Sequence, residues 1–282
     1  MRIDSHHHLW DLSHHPQDWM SGSEHDVVRR NFSMEDFKIH SAGTGIEKTV
    51  LVQTVMNYLE TPDFLNIAGL DPMIVGVIGF LKMDSDNAIS ELKNYQRHEF
   101  SHKLVGIRDM AHFYNDDQYL EKSSVIANCR TLGEYGLTFD LLTKTPQMKS
   151  ALKLVQSCPE TIFVLDHISK PLIAQQVLEP WSTFIEEIAA SPNVYCKVSG
   201  MITEADWKKW KTADFKPYLQ TIIEMFTPNR LMFGSDWPVA LLAGSYQDVI
   251  NLAEELTEGF SESEKANFWS ESAVKAYQLK GI

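Results

Sequence analysis

Short apolar runs recur along the chain, each closed by a polar or small residue and followed by a longer mixed stretch. Eight of them read as strands: Arg2–His6, 47–54 (EKTVLVQT), 73–81 (MIVGVIGFL), 103–109 (KLVGIRD), 137–142 (LTFDLL), 161–167 (TIFVLDH), 194–200 (VYCKVSG) and 230–236 (RLMFGSD). They are rich in β-branched and aromatic residues, as strands buried on both faces are. Among the intervening stretches, 86–98 (DNAISELKNYQRH) carries an apolar stripe at helical spacing. The stretch 260–280 opens with Ser261 and Glu264 three apart, the spacing of a capping box. Eight parallel-type strands alternating with helices predict a (β/α)8 TIM barrel, one domain over residues 1–282. An open doubly wound sheet would carry a glycine-rich phosphate loop after its first strand. Here that position holds His6-His7-His8.

Barrel enzymes take their catalytic groups from the C-terminal ends of the strands, so strand parity decides which side chains meet there. In the first strand Asp4, His6 and His8 share one face, opposite Ile3, Ser5 and His7. In the fourth, Val105 and Ile107 face outward and Arg108 inward. In the fifth, Leu137, Phe139 and Leu141 face the helices and Asp140 the interior. His167 ends the sixth strand on the face of Phe163 and Leu165. In the seventh, Val194, Cys196 and Val198 face out, leaving Tyr195, Lys197 and Ser199 inside. Asp236 ends the eighth with Met232 and Gly234. The expected rim is therefore His6, His8, Arg108, Asp140, His167, Lys197 and Asp236. Lys and Asp are rarely buried without a partner or a task.

Composition narrows the reading further. The net charge of −13 disfavours nucleic-acid and anionic-membrane partners, which want a basic patch. No apolar run approaches the roughly 18 residues of a membrane span, and Asp4 and the histidines stand where a signal peptide would be apolar. Three scattered cysteines, Cys129, Cys158 and Cys196, fit reduced thiols in a cytoplasmic protein rather than a disulfide framework. The partner is then expected to be a small molecule; a homodimer stays open.

Three imidazoles and a carboxylate form a nitrogen–oxygen ligand set suited to one zinc ion, with manganese or iron as alternatives. His6, His8 and His167 would hold the metal, whose bound water would ionise near neutrality. Asp236 could ligate it, take the proton of the attacking water, or do each in turn. Arg108 and Lys197 could orient the substrate or steady a developing oxyanion. That combination hydrolyses an activated carbonyl without a protein nucleophile. Asp140 is either a substrate contact or the structural partner of Lys197. Asp4 reads as a support for a ligand histidine. His14, His15 and His112 read as solvated loop residues, and Trp10 and Trp19 as lining of the mouth.

The segments MRIDSHHHLW, VLVQT, GIRD, FDLL, LDHISKP, KVSG and MFGSDWPV, in this order, resemble the amidohydrolase-2 branch of the amidohydrolase superfamily. The likeness runs from the first strand to the last and is greatest to sugar-acid lactonases, which open L-fucono- and L-rhamnono-lactones, and to pyrone-dicarboxylate lactonases. It implies a (β/α)8 barrel, His6, His8 and His167 at the metal position and Asp236 as the base. Arg108 stands where the wider superfamily has a bridging Lys or Glu, and Asp140 where it has His, so one metal at most is expected. Some members of this branch work without bound metal. A dicarboxylate substrate wants several forked arginines, yet of seven arginines only Arg108 falls at a strand end. A neutral sugar lactone needs mixed donors, which Gln53, Lys197, Ser199, Trp10 and Trp237 could supply. The expected function is thus metal-assisted opening of a sugar-acid lactone. The alternatives are a pyrone-dicarboxylate-type lactonase, a non-oxidative decarboxylase of an aromatic acid, or an inert metal-binding barrel.

Overall fold

The computed structural model describes residues 1–282. Its eight strands are β1 (Arg2–His7), β2 (Ile46–Val52), β3 (Ile74–Phe80), β4 (Leu104–Asp109), β5 (Thr138–Leu141), β6 (Phe163–Leu165), β7 (Val194–Val198) and β8 (Leu231–Phe233). Each is followed by a helix: α1 (Met34–Ser41), α2 (Glu60–Leu70), α3 (Ala88–Gln96), α4 (Ser123–Glu134), α5 (Met148–Ser157), α6 (Trp181–Ala189), α7 (Lys216–Phe226) and α8 (Tyr246–Leu256). The strands pair in parallel in sequence order from β1 to β8. All eight expected strands are present, and the fold is the expected (β/α)8 barrel.

Closure between β8 and β1 runs through hydrogen bonds beyond the ladder. Ser5 Oγ donates to the Phe233 carbonyl at 2.5 Å, Asp236 N–H to the His6 carbonyl at 2.8 Å, and His8 N–H to the Trp237 carbonyl at 2.7 Å. The barrel interior is filled by Ile3, Val50, Val52, Val75, Ile78, Val105, Val164 and Met232. A larger apolar layer, including Phe139, Phe163, Leu165 and Cys196, lies between strands and helices. The three cysteines are buried and unpaired.

The C-terminal stretch 260–280 is not one helix. The Ser261–Glu264 capping box forms as expected, but α9 (Glu262–Ala266) runs into a π-turn at Asn267–Glu271 before α10 (Ser272–Tyr277). The π-turn carries Phe268 and Trp269, which pack on Phe233 of β8. Tyr277 and Leu279 then join the interior cluster. No helix is long and apolar enough to cross a membrane.

Strand parity fails at two places for the same reason. Asp4 pairs with Thr49 and His7 with Leu51, three residues against two, so β1 bulges at Ser5–His6. Asp4 consequently lies on the opposite face from His6 and His8, bonded by Tyr246 of α8, while Ile3 fills the interior. A matching slip between Val77–Leu104 and Ile78–Gly106 turns Val105 into the interior while Ile107 stays outside and Arg108 points in.

Candidate metal and active site

At the C-terminal end of the barrel, His6, His167 and Asp236 bring their ligand atoms within 4.8 Å of one another. Asp236 Oδ1 lies 3.3 Å from His8 Nε2 and 3.8 Å from both His6 Nε2 and His167 Nε2. The Nε2 atoms of His6 and His8 are 3.1 Å apart. A tetrahedral ion with ligand bonds of ~2.0–2.1 Å would space its donors by about 3.3 Å, so the cluster has the dimensions of one such site. His7 has the opposite parity and packs on Phe37.

Each imidazole is held from behind. His8 Nδ1 is 2.8 Å from the Val52 carbonyl, which can only accept, so Nδ1 carries the proton and Nε2 keeps its lone pair. His167 Nδ1 meets Ser199 Oγ at 2.8 Å, and His6 Nδ1 faces Asp166 Oδ1 at 3.4 Å and Lys197 Nζ at 3.2 Å. Burial lowers His167 to about 3, and burial with the Lys197 charge holds His6 well below the usual range. Both His6 and His167 are thereby held in the neutral form that a metal needs. Burial opposes ionisation of Asp236, but His167, His8 and His6 outweigh it and hold the carboxyl below its ordinary value. The donor set fits one zinc ion.

His167 does not arrive by the expected route. Phe163 and Leu165 face the helices, so simple alternation would send His167 outward and Asp166 inward. Asp166 does point in. His167 is turned inward by a left-handed run, with φ of 52°, 47°, 61° and 48° at His167, Ile168, Ser169 and Lys170. Gly200 makes room for the ring: at φ 59° it sits so close that a Cβ there would lie 2.6 Å from His167 Nδ1. Gly234 does likewise on β8, where a Cβ would come within 2.7 Å of the His6 Cβ. Asp4 supports His6 through the backbone, accepting from His6 N–H at 3.1 Å and Ser235 N–H at 2.9 Å.

Beneath the histidines lies a closed group of charges. Lys197 Nζ is 2.6 Å from Asp140 Oδ2 and 3.0 Å from Asp166 Oδ1, and Arg108 Nη1 is 2.9 Å from Asp166 Oδ2. Tyr277 donates to Asp140 at 2.9 Å. Burial would raise Asp166, but Lys197, His6 and Arg108 hold it well below the carboxylate range. Burial prevails at Asp140, which rises to about 6. Two cations and two carboxylates thus cancel in the interior. Sequence reading missed Asp166, although its parity with Val164 was the available signal.

The expected substrate contacts divide. Trp10, Arg108, His8, His167 and Asp236 line a cleft of about 390 Å³ with Trp19, His112, Lys144, Lys170, Glu204 and Trp207. Asp140 and Lys197 lie below it, fully buried. Gln53 is buried as well, its Nε2 on the Arg108 carbonyl and its own carbonyl accepting from Arg108 Nη2. Trp237 is buried against Phe32 and Phe37 in the outer layer, because the turn at Asp236 sends the next side chain outward. Of the loop histidines, only His14 is exposed as expected. His15 is buried and pairs with Asp63 at 2.9 Å, and His112 belongs to the cleft wall.

The wall above β1 and β2 is tied down by one carboxylate. Glu60 accepts from Thr54 N–H, Val55 N–H and the Thr54 hydroxyl, and burial raises it to about 7. Gln17 donates to Thr54 Oγ1 at 2.6 Å and accepts from Trp19 Nε1 at 3.0 Å.

Comparison with known proteins agrees with this architecture. Residues 3–279 match the family model described as Amidohydrolase. The chain is 30% identical over 247 residues to an L-fucono-1,5-lactonase of Burkholderia ambifaria, covering 88% of this chain and 83% of that protein. It is 28% identical to the L-fucono-1,5-lactonase of Burkholderia multivorans, over 99% of this chain and 96% of the relative. A crystal structure of an amidohydrolase from Burkholderia multivorans with bound zinc superposes with a TM-score of 0.92 at 28% identity, covering 99% of both chains. With the barrel, the histidine cluster and a match along almost its whole length, the chain belongs to the amidohydrolase family.

Proposed function

We propose that this protein opens a lactone, specifically a sugar-acid lactone, by attack of water at the ring carbonyl, with the whole chain acting as one catalytic domain. The observation that carries the reading is the Asp236 carboxylate facing three imidazoles at the base of a cleft walled by tryptophans and polar side chains. The L-fucono-1,5-lactonase names of the relatives support the substrate class.

In this reading His6, His8, His167 and Asp236 hold one zinc ion. When bound, it would supply Lewis-acid polarisation and an acidified water. Asp236 takes the proton of the attacking water and returns it to the ring oxygen as the C–O bond breaks, leaving the open hydroxy acid. The Val52 carbonyl, Ser199 and Asp166 keep the imidazole rings in place throughout. Arg108 steadies the floor and puts positive charge near the developing oxyanion. A dicarboxylate substrate is less well served, because Arg108 already bonds Asp166, while Gln53 takes its other terminal nitrogen. The test is a pH-indicator screen of sugar lactones, aromatic acids and pyrone dicarboxylates, with metal analysis of the purified protein. Turnover confined to sugar lactones is the expected result; turnover of a carboxylated substrate alone would overturn it.

A further inference from the structure

One side of the cleft is formed by the loops that follow β4 to β7, and it holds a histidine that the chemistry above does not use. His112, after β4, stacks on Phe113 with ring centroids 4.0 Å apart. Its Nδ1 is closed off from solvent without a hydrogen-bond partner. A phenylalanine would pack there equally well and leave no nitrogen unmet, so the fold alone gives no reason for an imidazole.

The surroundings supply a reason. Lys144 comes from the loop after β5, Lys170 from that after β6, and Glu204 and Trp207 from that after β7; all line the same cleft. Lys170 and Glu204 pair at 2.5 Å. Burial first, and then Lys170, Lys144 and Arg108, lower His112 to about 2. The ring is therefore neutral at working pH, and with Nδ1 sealed off it meets a ligand through Nε2 alone, as donor or acceptor according to the tautomer. A neutral imidazole beside ammonium donors and a carboxylate acceptor offers both kinds of hydrogen bond within a small space. Hydroxyl groups, which give and take at once, suit such a wall. An alkyl group there would leave Lys144 and the imidazole without partners. Trp19 and Trp207 add flat apolar faces for the C–H side of a sugar ring, with His25 between them at 5.5 and 6.1 Å.

We propose that His112, flanked by Lys144 and the Lys170–Glu204 pair, reads the ring hydroxyls of the lactone, so that the β4–β7 loops select the substrate while the histidine–Asp236 cluster activates it. The proposal rests on the lactone reading and deepens it.

The test compares L-fucono-1,5-lactone with δ-valerolactone, which has the same six-membered lactone ring without the hydroxyls and the methyl group, on zinc-loaded wild type and His112→Phe. The variant is expected to lose about 10- to 100-fold in kcat/KM on the sugar lactone, mainly through KM, and to change less than about twofold on δ-valerolactone. Equal losses on both lactones would show a structural role, and no loss on either would show no role; each overturns the proposal. Should wild type open neither lactone, the proposed function falls, and calorimetric binding of L-fuconate decides this inference separately. Weaker binding to His112→Phe sustains it, and equal or absent binding ends it.

Discussion

The floor of the cleft and its wall are built by opposite means. The floor stands on strands β4, β5 and β7 and on the first residue after β6: Arg108, Asp140, Lys197 and Asp166 are all at most 2% exposed, and each charge bonds another. The wall is loop-borne, with exposed Lys144, half-buried Lys170 and Glu204, and an unpartnered His112 nitrogen. Saturated interior charges fix positions and tolerate little change. Side chains on loops at the mouth of a cleft are placed to meet a ligand. On the proposed function, the difference separates the part of the molecule that supports the reaction from the part that meets the substrate.

Asp236 tests the chemical half most severely. Asp236→Asn keeps the shape and removes the proposed base, so kcat should fall by ~10²–10⁴ with an unchanged circular dichroism spectrum. Steady-state hydrolysis of the best lactone measures it; near-normal kcat in a folded variant would move the base elsewhere. Lys197→Met strikes the floor itself by removing the ammonium that Asp140 and Asp166 share. Breaking a buried pair from one side costs about 3–5 kcal/mol, a loss that denaturant unfolding should register. The double variant Lys197→Met/Asp140→Asn should recover part of it. If Lys197→Met unfolds like wild type, the floor is not a rigid element.

Smaller effects are expected where support acts through a neighbour. Gly200→Ala puts a Cβ against the His167 ring, and Ser199→Ala removes the partner of Nδ1. Such changes behind a ligand typically weaken metal affinity by about 10–100-fold, which chelator competition would measure, with Gly200→Ala the larger. Unchanged zinc affinity in both would remove His167 from the ligand set.

The smallest effect probes the wall. Glu60 ionises near 4.5 when unfolded and near 7 when buried, so the folded state holds its proton more tightly. The stability this provides is present in full below about 4.5 and lost as pH rises through about 7. Melting temperature should therefore drop more between pH 5 and pH 8 in wild type than in Glu60→Gln. Parallel pH profiles would mean that Glu60 is ionised throughout.

Regular alternation was the legible part of the chain. All eight strands could be located from it, and the inward Asp140 and Lys197 and the outward Val194, Cys196 and Val198 obey period two because β5 and β7 run without bulges. Asp4, Val105 and Trp237 were misplaced where the backbone departs from it, and His167 reached the expected rim by another route. Two of those departures are bulges set by the neighbouring strand, and two are left-handed turns at His167 and Asp236. Nothing local in LDHISKP announces four left-handed residues; the space that Gly200 leaves, on the next strand, does. His112 and His15 looked like solvated loop residues because burial of a loop depends on the segments that fold over it.

Tyr277 brings a consequence for assembly in time. Its hydroxyl completes the Asp140 shell from the last helix of the chain. During synthesis Asp140 and Lys197 are laid down long before that hydroxyl exists, and β8 must form before α10 has a barrel end to close. A nascent chain stalled short of residue 277 should therefore expose an open, wet floor and invite chaperones and proteases. The docking of that one aromatic ring can only follow the making of the charges it covers.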